Sequence, residues 1–94
     1  MTERIQTLHP EGKQGVNISK IKYEAVKTAV LTALAEHREL TFKELNTEVG
    51  RQLEGNFEGS IGWYYTTVKL DLEARGLIER FGKSPQRLRL TTNE

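Results

Sequence analysis

Cysteine is absent from the chain, which removes disulfides and thiolate metal sites and is compatible with a reducing compartment. No apolar run approaches the roughly 20 residues that a membrane span needs. The N-terminus carries no hydrophobic stretch of signal-peptide type, so the expectation is a cytoplasmic protein with no membrane segment. The net charge is only +1, and no global field draws the chain toward nucleic acid. Histidine is scarce too: His9 and His37 stand too far apart in sequence to form a metal-ligating pair. Asp71 and Glu73 fall on different sides of any helix that carries them, which excludes a carboxylate dyad. No catalytic constellation can be assembled, so the chain is not expected to be an enzyme or to use a metal or cofactor.

What is present suffices for one small core: 94 residues, 36% of them hydrophobic. The expected organisation is an N-terminal arm over 1–18, a single domain over 19–91 and a frayed tail over 92–94. In the arm, His9-Pro10-Glu11-Gly12-Lys13-Gln14-Gly15 breaks any regular period, while Ile5, Leu8, Val16 and Ile18 supply apolar surface to pin it. Gly12-Lys13-Gln14-Gly15 lacks the spacing and the Ser/Thr of a nucleotide-binding P-loop.

Ser19 is placed to cap a helix running to about Glu36, with Tyr23, Val26, Val30, Ala33 and Leu34 as its inward stripe. A short strand is expected near Leu40-Thr41-Phe42. Thr41 and Glu44 then have the spacing of a capping box, opening a second helix whose apolar face is Phe42, Leu45, Val49 and Leu53. Glu54 to Gly59 is a loop by composition, longer than the tight turn of a simple helix-turn-helix.

Ser60 caps the third element. Ile61, Tyr64, Tyr65, Val68 and Leu72 recur at threes and fours, which predicts a helix; the β-branched and aromatic run Trp63 to Val68 makes a strand the structural rival. Gly76 supplies a left-handed stop. Leu77, Ile78 and Phe81 begin a strand, Gly82-Lys83-Ser84-Pro85 turns, and Gln86 to Thr91 alternates as the returning strand. Charge is unevenly spread: six acids against three bases from Glu36 to Glu58, then Arg80, Lys83, Arg87 and Arg89 with no acid up to Asn93. Charges of this kind also keep a solvated hairpin from pairing edge to edge.

The order helix, capping-box helix, third helix and basic hairpin, with Leu72-Glu73-Ala74-Arg75-Gly76-Leu77-Ile78 at the junction, resembles the winged helix-turn-helix superfamily over about Ser19 to Leu90. The resemblance implies an α+β winged helix, a three-helix core with a C-terminal β-hairpin wing. It further implies that the third helix enters a major groove while the wing touches phosphates or the minor groove. His9-Pro10 through Gly12-Lys13-Gln14-Gly15, with Gly59 to Tyr64 and Pro85 to Arg89, is similar to a family of small uncharacterised bacterial proteins, which brings no known activity.

With Ile61, Tyr64, Val68 and Leu72 inward, a step of about 100° per residue turns Trp63, Thr66, Thr67 and Leu70 outward. Three readings of that face compete. In the first, the helix reads duplex DNA as in a transcriptional regulator: Ser60, Trp63, Thr66 and Thr67 lie at the groove, Lys69 reaches phosphate, and Lys83, Arg87 and Arg89 anchor the wing. Asp71 and Glu73 weaken such binding. In the second, Trp63 and Leu70 form an apolar ridge for a homodimer or another protein. In the third, the arm folds over the helix and sets Leu8, Val16 or Ile18 against Trp63.

Overall fold

The structure is a computed structural model and describes residues 3–91; the tail expected over 92–94 lies outside them. Its elements are β1 (Arg4–Gln6), β2 (Asn17–Ser19), α1 (Lys20–His37), β3 (Glu39–Thr41), α2 (Phe42–Leu53), α3 (Ile61–Ala74), β4 (Ile78–Phe81) and β5 (Arg87–Leu90). The class is α+β, three helices with two small antiparallel sheets.

Local chemistry sets each boundary. The Ser19 hydroxyl accepts from the Lys22 amide and opens α1, and Tyr23, Val26, Ala29, Val30, Ala33 and Leu34 form its buried stripe. At Thr41 the capping box is complete: Thr41 Oγ1 accepts from the Glu44 amide at 3.1 Å, and Glu44 Oε1 accepts from the Thr41 amide at 2.9 Å. Ser60 Oγ accepts from the Trp63 amide at 3.2 Å and starts α3. The stretch that could have been a strand is helical because Tyr65, Val68 and Leu72 then fall on one face, all buried. Gly76, at φ +77°, ends α3 in a Schellman motif, with its amide donating to Glu73 O (3.1 Å) and that of Leu77 to Leu72 O (2.9 Å).

Beyond that stop, β4 and β5 form the expected hairpin, and β3 pairs with the outer side of β5, giving the order β3-β5-β4. Leu40 opposes Leu88 and Ile78 opposes Leu90, so the sheet presents an apolar side to the helices. Leu40, Ile78 and Leu88 complete a core otherwise built from the three helices and Ile18.

The arm carries structure that its breakers did not announce. β1 and β2 pair with Ile5 opposite Ile18, and the ladder extends through Thr7, whose amide donates to Val16 O at 2.8 Å. The Thr7 hydroxyl donates to Val16 O and accepts from the Val16 amide, so this threonine is buried with its polar group satisfied. Of the four apolar arm residues, Ile18 is buried and Ile5 packs against the core, whereas Leu8 and Val16 remain exposed. Phe42 also departs from expectation: it opens α2 outside the core, 44% exposed, its ring 4.9 Å from that of Tyr65.

Candidate functional site

The outer face of α3 lies between the arm on one flank and the β4–β5 hairpin on the other, and the structure sorts the expected site residues across it. Ser60, Trp63 and Thr66 are exposed, Trp63 at 47%. Thr67 and Leu70 are half-covered, because both line a narrow groove of about 110 Å³ whose opposite wall is the arm at Leu8, Gly15 and Val16. The arm therefore docks beside Thr67 and Leu70 and leaves Trp63 open, so of the three competing readings the one in which the arm covers the tryptophan does not hold. The Trp63 ring instead stands edge-on to Tyr64, with centroids 4.9 Å apart.

Lys69 requires a second correction. It was expected to reach phosphate from the outer face, yet it is only 7% exposed. The 100° step places it just beyond Tyr65, at the edge of the buried stripe, where Phe42 of α2 stands. Its ammonium lies 5.4 Å from the Phe42 ring centroid and 2.6 Å from Glu73 Oε2. Glu73 is nearly buried as well and takes Arg80 Nε on its other oxygen at 2.6 Å. Lys69 and Glu73 thus form a nearly buried pair at the base of the hairpin, with Arg80, its side chain partly exposed, on the second Glu73 oxygen.

The hairpin arginines are similarly engaged. Arg89 Nε donates to Glu79 Oε2 at 2.7 Å, and its guanidinium covers the Phe81 ring at 4.2 Å; Arg87 Nε lies 3.6 Å from Glu39 Oε1. Sequence reasoning counted the bases between Arg80 and Asn93. Their partners come from Glu39, Glu73 and Glu79, outside that window and supplied by strand register and helix packing. Lys83, at the exposed hairpin tip, is the one wing base with no ion pair among the described residues.

Asp71 is the third correction. Read as a surface acid disfavouring DNA, it is fully buried. Its Oδ1 accepts from the Leu8 amide at 2.8 Å, and its Oδ2 accepts from the Tyr23 hydroxyl and from Arg75 Nε, the latter at 2.8 Å. One carboxylate thereby ties the arm, α1 and α3 together. Burial first, and the hydrogen bond to Asp71 second, push the Tyr23 phenol far above its ordinary range. Tyr65 is raised in the same direction, chiefly by burial and then by the Glu73 charge, and its hydroxyl donates to Phe42 O at 2.8 Å. No signal in the sequence marks Asp71 beyond its step of about 100° from Leu72.

Among the described residues no group of His, Asp and Glu is arranged to hold a metal ion, and no helix is long and apolar enough to cross a membrane. The outer face of α3 is therefore a surface of Gly62, Trp63, Thr66 and half-covered Leu70, flanked by the nearly buried Lys69–Glu73 pair and without an exposed charged side chain. It belongs to a small α+β domain of three helices and two antiparallel sheets. The model of a family of unknown function, DUF6958, matches residues 4–88, and the chain belongs to that family. Neither the curated proteins nor the solved structures gave a match.

Proposed function

We propose that the chain is a winged-helix module of the cytoplasm and that it works as a protein-interaction domain, pairing with a second copy of itself through the outer face of α3. The order α1-β3-α2-α3-β4-β5, with the hairpin beside the third helix, supports the winged-helix assignment. The single observation that carries the interaction reading is Trp63, half-exposed on a helix face with no exposed charged side chain. Tryptophan is the side chain most often found as a buried anchor at interfaces. A twofold axis brings like groups together, and an uncharged face incurs no repulsion there. Gly62 has open space where a Cβ would stand, leaving a notch beside the Trp63–Leu70 ridge into which a partner's ridge fits. Sedimentation equilibrium tests this directly: the wild type associates, and Trp63→Ala weakens association by at least about 30-fold, a loss of about 2 kcal/mol. A wild type that sediments as a monomer at millimolar concentration would rule the homodimer out.

Duplex DNA contact is the second reading, favoured by Lys83, which has no ion pair among the described residues, and by the partial exposure of Arg87 and Arg89, whose ion pairs phosphates could replace. It would use Ser60, Thr66, Thr67 and these hairpin bases, with Lys69 removed from the set. Pairing of the arginines to carboxylates leaves few free cations, and phosphate neutralisation supplies most non-specific affinity. Salt-dependent amide shifts in the hairpin and α3 on adding duplex DNA would establish it; no shifts at low salt would reject it.

A further inference from the structure

The loop from His9 to Gly15 walls an open cleft of about 530 Å³ whose far side is Ala74, near the end of α3. That volume is of the size that holds small molecules. His9, Lys13 and Gln14, which carry hydrogen-bond donors, are among its lining residues, and none of that lining is acidic.

The loop's own bonding fixes how those donors are presented. The Gly12 amide donates to His9 O at 3.0 Å, closing a turn with Pro10 second and glycine fourth, and the Glu11 amide donates to His9 Nδ1 at 3.1 Å. With Nδ1 used as an acceptor, the proton of the neutral ring sits on Nε2, which has no partner among the described residues. Lys13 Nζ lies 3.2 Å from Glu11 Oε1, but both side chains are about two-thirds exposed, and an exposed pair of this kind yields readily to a competing anion. The loop returns to β1 at Gly15, so close to the Thr7 carbonyl that no side chain fits between them, and this closure holds Lys13 and Gln14 at the rim.

We propose that this cleft binds a small organic anion, its carboxylate or phosphate group held by His9, Lys13 and Gln14 and its apolar part lying against Leu8 and Ala74. The site is separate from the outer face of α3 and does not depend on what that face contacts. The test uses the full ¹⁵N-labelled chain, titrated separately with inorganic phosphate and with succinate at ionic strength held constant by chloride. Saturable shifts confined to the His9–Gly15 loop and Ala74 are expected. A response to phosphate alone identifies a phosphate group, to succinate alone a carboxylate, and to both the shared anionic chemistry. Lys13→Gln should raise the midpoint about tenfold, the loss of one charge-assisted hydrogen bond. Ala74→Leu, which fills the cleft without changing its charge, should raise it several-fold, with Ala74→Val as the substitute if leucine displaces the arm. No saturable shift with either anion overturns the proposal. So does weakening in Lys13→Gln without weakening in the Ala74 variant, which marks an ordinary surface lysine, and so does the converse, which removes the anionic requirement.

Discussion

Replacing Asp71 with alanine removes the acceptor of three hydrogen bonds at once. Arg75 can turn to water, because its side chain is 36% exposed. The Tyr23 hydroxyl cannot, since the residue is 2% exposed, and the Leu8 amide loses the bond that ties the arm to α3. Leaving a buried donor unsatisfied costs about 1–3 kcal/mol, so two orphaned donors, one of them near the surface, give a loss of about 2–4 kcal/mol. That is a large part of the roughly 5–15 kcal/mol that stabilises a small domain. Tyr23→Phe leaves the carboxylate with Leu8 and Arg75 and should lose only about 1–2 kcal/mol. Because Tyr23→Phe removes the donor that Asp71→Ala orphans, the double variant should be more stable than the sum of the two losses implies, by about 1 kcal/mol or more. Equilibrium urea unfolding of the four proteins measures all of this, and hydrogen exchange at the Leu8 amide should accelerate in Asp71→Ala before global unfolding does. A loss below about 1 kcal/mol in Asp71→Ala, or strict additivity in the double variant, would refute the claim that this carboxylate joins arm, α1 and α3.

The same packing sets three further outcomes. Gly15→Ala would set its Cβ 2.1 Å from the Thr7 carbonyl oxygen, a backbone atom that cannot swing aside, and should cost about 1–3 kcal/mol in urea unfolding. Gly50→Ala meets nothing within 4 Å, lies inside α2 and should stabilise by about 0.5–1 kcal/mol in the same assay. Tyr23 and Tyr65 hold their protons above the ordinary phenol range, whereas the unfolded chain releases them near pH 10. The unfolded state then binds fewer protons, so stability is intact below that pH and falls as pH rises through it. Absorbance titration should accordingly show both phenols ionising only together with alkaline unfolding, and a reversible phenolate signal from either in the folded protein would contradict their burial.

Most of the fold was legible because its signals are local. The caps at Ser19, Thr41 and Ser60 and the stop at Gly76 each depend on atoms within about one turn of helix, a range that sequence spacing reports directly. The arm was less so: Thr7 and Val16 pair across an eight-residue loop whose proline and glycines signal only that no periodic element crosses it. The candidate site was legible only in part. Helical phase placed Trp63 and Thr66 outward correctly, yet near the edge of a face a single step decides between solvent and a neighbour. Lys69 fell on the neighbour's side because α2 presents Phe42 there. Asp71 and the hairpin arginines were misread for one common reason: their partners, Tyr23, Leu8, Glu39 and Glu79, lie on other elements, and charge counted along a window cannot register a cross-strand or interhelical pair.

The most direct test of the α3 face as a self-association surface is an isotope-filtered NOE experiment on a mixture of ¹³C-labelled and unlabelled protein. The twofold pairing proposed for that face predicts contacts from the Trp63 indole of one copy to the Leu70 methyls or Thr66 of the other, lost in Trp63→Ala. A concentrated sample giving monomer relaxation and no intermolecular contact at Trp63 would contradict it.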